Sequence, residues 1–106
     1  MDDDEIGFDE TASEETSTVP GVVTPLQKHA DLIKWAKSKY LDVDPQMGRA
    51  EPIAKKMIRV LARRLISDGE YVSRRFQEGA TANELAWSVQ ETDDIAARLQ
   101  SLKGSL

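Results

Sequence analysis

Residues 53–65, IAKKMIRVLARRL, are the stretch that decides the fold class. Their apolar residues recur every three or four positions, which is the spacing of an amphipathic helix. Pro52 suits the first turn of such a helix, and Asp68-Gly69 suits its end. We predict a helix whose core side carries Ile53, Met57, Val60, Leu61 and Leu65.

Arg64 is the cation that the helical angle places on this apolar side. A long charged side chain can lay its stem along apolar surface while its head stays in water. We therefore predict one of two arrangements for Arg64. Either it is at least half buried and paired with a carboxylate, or its stem lies along the apolar side with the head in water.

The other side of the predicted helix is cationic, with Lys55, Arg59 and Arg63 one turn apart and Lys56 beside them. Like charges at this spacing repel by roughly a few tenths of a kcal/mol per pair, so the row does not serve helix stability. The row is either a solvated face or a contact face for an acidic partner. The candidate contact residues are Lys55, Lys56, Arg59, Arg63, Arg74 and Arg75.

No stretch of the sequence alternates like a strand, and four more helices are expected around this one. The first begins at Thr24, where Gln27 completes a capping box, and runs to about Leu41. The next predicted helix spans about Glu70 to Glu78. Another begins at Thr81, with Glu84 as its capping partner, and the last runs from Thr92 to Gly104. We expect an all-α fold, a small bundle or orthogonal cluster of about five helices, as a single domain over residues 22–104.

The N-terminal residues 1–21 differ sharply in charge from the rest. Residues 1–20 hold eight acids and no base, whereas residues 21–106 hold 14 bases and 11 acids, a net 14 − 11 = +3. Too little apolar area is present to offset chain entropy, so we predict a disordered, mobile acidic tail. Ile6 and Phe8 lie inside the acidic run, so the tail could order on a partner or fold back onto the basic helix; it could also only solubilise the protein.

Several classes of chemistry are disfavoured by composition. A chain of 106 residues without cysteine offers one domain, no disulfide and no thiolate metal site. The lone histidine, His29, falls on an apolar helix side and is expected to be structural. We expect no enzyme activity, no cofactor and no metal. The first ten residues lack the features of a secretion signal and no apolar run spans a bilayer, so a cytoplasmic or nuclear protein without membrane contact is expected.

Residues 81–99, TANELAWSVQETDDIAARL, resemble a helix-turn-helix motif, with T-x-x-E-L-A-x-x-V followed by a turn at residues 90–92. The resemblance implies that the helix after the turn would approach DNA. Asp93 and Asp94 would open that helix, and two carboxylates there repel phosphates. The resemblance therefore favours a fold more than a DNA-reading element.

Two functions remain open from the sequence. The first is a non-enzymatic regulatory or adaptor module that binds an acidic partner through the basic helix, with nucleic acid ahead of an acidic protein surface. The second is a protein–protein interaction module, an assembly factor or polymerase cofactor, that acts through Trp35, Trp87 and the last helix. Both tryptophans lie off the apolar sides of their helices; we expect burial on a second side, with exposed anchors as the alternative. A homo-oligomer is left open.

Overall fold

The structure, a computed structural model, describes residues 21–42 and 51–106, and the predicted mobility of residues 1–20 concerns a segment outside them. The described residues form four α-helices and one π-helical turn, and no strand. In chain order these are α1 (Pro25–Lys28), α2 (Ala30–Ala36), the π-turn (Lys37–Leu41), α3 (Ile53–Gln77) and α4 (Ala82–Gly104). The all-α prediction is confirmed, but the described helices number four rather than five.

Helix α3 joins the second and third predicted helices, so the predicted end at Asp68-Gly69 is wrong. Gly69 is buried inside α3, where a Cβ would lie 2.7 Å from Cδ2 of Leu26. Glycine costs about 1 kcal/mol relative to alanine in a helix interior. The close packing of α1 at this position offsets that cost, which the local sequence does not reveal.

Helix α4 likewise runs through residues 90–92, so the turn implied by the helix-turn-helix resemblance is wrong. Thr92 is fully buried, and its hydroxyl donates to the carbonyl of Val89 at 2.6 Å instead of capping a new helix. Ser and Thr hydroxyls can bond back into their own helix in this way. No glycine or proline lies at residues 90–92, so nothing there interrupts the helix.

The two predicted capping boxes are confirmed. Thr24 and Gln27 cap α1 reciprocally, and Thr81 and Glu84 do the same for α4. Gly79, with φ of +103°, closes the C-terminus of α3. The amide of Gly79 donates to the carbonyl of Phe76, and the amide of Ala80 donates to that of Arg75, each at 3.0 Å. This pair of bonds is a Schellman motif, and it turns the chain so that α4 runs back along α3.

The core lies between the α3–α4 hairpin and the α1–α2 segment that crosses it. Its buried apolar residues are Leu32, Ala36, Ile58, Ala62, Leu65, Ile95, Ala96 and Leu99. Of the side predicted to face the core, Leu65 is buried, but Ile53, Met57 and Val60 are exposed. Because α3 continues through Gly69, its core side is rotated from the predicted one by roughly 100°, the angle between consecutive helical residues.

Candidate binding surface

The solvent side of α3 presents a row of exposed apolar side chains. Ile53 is 75% exposed, Met57 46% and Val60 63%. Their spacing of four and three residues places them on one side of the helix. Lys56 and Arg63 flank the row and are also exposed. We call these five residues the outer face of α3; Tyr71 and Arg74 continue it three turns after Val60 and Arg63.

The outer face belongs to the most cationic element of the described chain. Helix α3 carries seven bases and two acids, a net 7 − 2 = +5, whereas α4 carries two bases and four acids, a net 2 − 4 = −2. Lys55, Lys56 and Arg63 form no ion pair with any described residue. Lys55 is exposed as well, but it lies in the row of Arg59 and not on the outer face. Lys56 and Arg63 are therefore open to a partner.

Arg59 does not join this surface. Its Nε donates to the carbonyl of Tyr40 at 2.8 Å, its Nη1 pairs with the carboxylate of Glu51, and the side chain is only 15% exposed. The structure therefore does not bring Lys55, Arg59 and Arg63 together as one solvent-facing row. Arg59 instead ties the end of the π-turn to the start of α3.

The remaining predicted cations are in part engaged. Arg64 pairs with Asp68 at 3.4 Å and with Glu91 of α4 at 3.6 Å. Of its two predicted arrangements, the first is wrong in its burial, because the side chain is 58% exposed, although the pairing with a carboxylate is observed. The reason is the rotated phase of α3, which places Arg64 near Ile53 on the solvent side. Arg74 lies over the ring of Tyr71 at 5.9 Å from its centroid.

Arg75 is half-buried near the C-terminus of α3, where its Nη1 donates to Oε1 of Glu78 at 3.0 Å. An exposed pair of this kind contributes little to stability. It does reduce the charge that Arg75 can offer a partner. Of the six predicted contact residues, Lys56, Arg63 and Arg74 are thus the ones that the structure places on or in line with the outer face.

The two tryptophans have different surroundings. Trp35 is half-buried against the core, edge-to-face with Tyr40 at 5.3 Å, and Nζ of Lys103 lies 5.0 Å from the centroid of the Trp35 ring. Trp87 is 73% exposed on the side of α4 that is turned away from the core. The prediction of burial is therefore confirmed for Trp35 and wrong for Trp87. Only Trp87 remains available as an exposed anchor.

His29 occupies a boundary position and links two helical segments. Its Nε2 lies 2.8 Å from Oδ1 of Asp93, and Nζ of Lys28 donates to Oδ2 of the same carboxylate at 3.1 Å. Burial raises the pKa of the Asp93 carboxyl, but the hydrogen bonds and charges of His29 and Lys28 outweigh burial and lower that pKa. The contact lines an open depression between α1, α2 and α4. We call the contact of Asp93 with Lys28 and His29 the Asp93 clasp and assign it a structural role.

Within residues 21–42 and 51–106, no group of three His, Asp or Glu side chains is placed to hold a metal ion. In the same part of the chain, no helix has both the length and the apolar content needed to cross a bilayer. Comparison with known proteins finds no family model, no curated protein and no solved structure that matches the chain.

The apolar pattern of residues 53–65 predicts Ile53, Met57 and Val60 in the core, so it does not indicate the apolar half of the outer face. A usable signal was present. Ile58, Ala62, Leu65, Gly69 and Val72 follow one another at helical spacing, and all five are buried. A helix that continues through Gly69 places this side in the core.

Proposed function

We propose that this protein is a non-enzymatic adaptor or regulatory module that binds an acidic, apolar-containing protein segment through the outer face of α3. The observation that carries the proposal is the row of Ile53, Met57 and Val60 in water. Lys56 and Arg63 lie beside this row and form no ion pair with any described residue. An exposed apolar patch with a polar rim marks an interaction site in many proteins.

The two halves of the face would contribute differently to binding. Burying a side chain such as Ile53 or Val60 is worth roughly 1.5–3 kcal/mol, so the apolar row supplies affinity. Lys56 and Arg63 supply attraction at a distance and a preference for acidic sequences. An amphipathic segment with acids beside its apolar residues satisfies both halves at once, as in helix-in-groove or extended recognition.

Nucleic acid is the second candidate partner, supported by the exposed Lys56, Arg63 and Arg74. Cations of this kind make the phosphate contacts that dominate nucleic-acid affinity. The apolar row between them has no counterpart in a phosphate backbone, which is why an acidic protein segment ranks first. A module acting through Trp87 is supported by that single exposed ring.

The proposal can be tested with two fluorescent probes, a short peptide in which acids alternate with leucine and phenylalanine, and a duplex DNA. The test variant is Lys56→Gln/Arg63→Gln/Arg74→Gln in the full chain. The matched control is Lys34→Gln/Lys37→Gln/Lys39→Gln, which removes the same charge from exposed sites on α2 and the π-turn. We expect the test variant to weaken peptide binding and the control to leave it near wild type.

Salt dependence separates the two partners. Phosphate binding falls steeply as salt rises, whereas binding that rests on apolar burial falls much less. Peptide binding that survives physiological salt supports the proposal. Nucleic acid becomes the favoured partner if DNA binds more tightly than the peptide, if raising the salt abolishes DNA binding, and if that binding depends on the same three cations.

A further inference from the structure

We infer that the outer face of α3 is occupied in cis by the chain's own acidic segment DDDEIGFDE, residues 2–10, which competes with the outside partner. The inference rests on the proposed function, since it assigns an internal occupant to the same face. It makes the first 20 residues an autoinhibitory element.

Charge and apolar content are complementary between the two. Residues 1–20 hold eight acids and no base, with Ile6 and Phe8 among the acids. The outer face offers Ile53, Met57 and Val60 beside Lys56 and Arg63. The apolar residues of the segment thus have apolar counterparts on the face, and its acids have basic ones.

The two other candidate surfaces, on α4 and on α2 with the π-turn, each lack either the positive charge or the exposed apolar side chains. Helix α4 exposes Trp87 but has a net charge of 2 − 4 = −2, so it repels an acidic segment. The cations Lys34, Lys37 and Lys39 are exposed on α2 and the π-turn, but the nearby Trp35 is already half-buried against the core. The outer face of α3 combines the positive charge with exposed apolar side chains.

The chain between the segment and α1 is long enough to reach this face. Thr24 and Pro25 are buried, and Leu26 packs on Gly69 in the middle of α3. From Gly69 to Ile53 is 69 − 53 = 16 residues, roughly 24 Å at 1.5 Å per residue. From Gly21 back to Phe8 is 21 − 8 = 13 residues, which span up to about 43 Å extended and about 20 Å as a flexible chain.

Tethering favours this occupant over a separate molecule. A short flexible link holds a segment at an effective concentration on the order of millimolar, so even weak contacts would be populated. The same segment of a second copy would reach comparable occupancy only at a similar protein concentration. Dependence on dilution therefore separates the two arrangements.

A spin label can locate the segment in the full chain. The protein has no cysteine, so Thr11→Cys provides a single attachment site. We expect the label to abolish the amide signals of Ile53, Met57 and Val60 while those around Trp87 persist. Adding Ile6→Ser and Phe8→Ser to the labelled chain should restore the signals. The inference is overturned if the label leaves the α3 signals intact, or if the signal loss persists after the two substitutions. If the loss disappears on dilution, the face is occupied by the segment of a second copy instead.

A competition experiment separates this inference from the proposed function. The probe is a fluorescent peptide with the sequence of residues 1–20, and the variant neutralises Asp2, Asp3, Asp4, Glu5, Asp9 and Glu10 with Asn or Gln in the full chain. We expect the variant to bind the peptide on the order of tenfold more tightly than wild type, because the internal competitor is gone. Equal affinities overturn the inference and leave the proposed function standing. If the peptide binds neither chain, both fail.

Discussion

Leu26 of α1 packs directly on the backbone of Gly69 in α3, at a distance that leaves no room for a Cβ. Cδ2 and Cγ of Leu26 would lie 2.7 Å and 3.0 Å from such an atom. This contact explains why α3 tolerates glycine in its interior, and it holds the start of the helical domain beside the middle of α3. The same contact fixes the position of α1, which follows the acidic N-terminal segment in the chain.

Gly69→Ala should lower the free energy of unfolding by about 1–2 kcal/mol in the wild-type chain, because an added methyl overpacks the contact. In a Leu26→Ala background the same substitution should be neutral or stabilising, because alanine is about 1 kcal/mol better than glycine in a helix. Urea unfolding of the four proteins in this double-mutant cycle measures the coupling. Additive effects would mean that the two residues do not constrain each other.

Arg59 and Arg63 should behave oppositely although they lie one turn apart. Arg59→Gln should cost about 2 kcal/mol of stability, because it leaves the carboxylate of Glu51 and the carbonyl of Tyr40 without their charged partner. Arg63→Gln removes an exposed charge and should change stability by less than about 0.5 kcal/mol. Urea midpoints of the two variants provide the comparison, and equal midpoints would contradict the inward placement of Arg59.

Thr81→Ala should destabilise the protein by about 1 kcal/mol, since the hydroxyl accepts from the amide of Glu84 at 3.2 Å and caps α4. Thr81→Ser keeps that acceptor and serves as the control. Thermal unfolding followed by circular dichroism is sufficient. A serine variant as unstable as the alanine variant would show that the methyl group, rather than the cap, matters.

The Asp93 clasp should make stability depend on pH. Because the pKa of Asp93 is lowered below its ordinary value of 3.8, the folded protein holds this proton less tightly than the unfolded chain. The stabilisation is therefore fully present above that ordinary value and is lost as pH falls through the folded pKa. Asp93→Asn should cost about 1 kcal/mol at pH 7.

At acidic pH the difference between wild type and Asp93→Asn should shrink, because protonation removes the charge from the wild-type carboxyl. Asp94→Asn is the matched control, as Asp94 is exposed and makes its hydrogen bond with Gln90 on the same helix. Urea unfolding across pH gives the comparison. A gap between wild type and Asp93→Asn that stays constant down to the acid limit would refute the clasp.

The features that could be predicted from the sequence are those that short-range chemistry determines. The capping boxes at Thr24 and Thr81 and the turn at Gly79 each depend on residues within a few positions. The end predicted at Gly69 and the start predicted at Thr92 failed because distant packing decided both. At Gly69 the partner is Leu26, 43 residues away by 69 − 26, and at Thr92 burial turns the hydroxyl back into its own helix.

The candidate surface was predictable in its charge but not in its apolar content. Lys56 and Arg63 are exposed as their positions on the cationic side suggested. The apolar residues of 53–65, the first 13 residues of the 25-residue helix, predict a core side that differs by roughly 100° from the side that the whole helix buries. This difference in angle is why Ile53, Met57 and Val60 lie in solvent. It also left Arg59 facing Tyr40 and Glu51, a contact between segments that no local pattern indicates.

The most direct test of the outer face as the binding surface uses the full chain carrying Ile53→Ser/Met57→Ser/Val60→Ser. The measurement is its affinity for the acidic peptide that contains leucine and phenylalanine. These side chains are exposed, so the variant should keep the helicity and stability of wild type. Trp87→Ser removes an exposed apolar side chain from α4 instead and is the control. The outer face of α3 as the binding surface predicts that the triple variant loses on the order of tenfold or more in affinity while Trp87→Ser binds as wild type does. A triple variant with wild-type affinity, or loss of binding in Trp87→Ser alone, would contradict it.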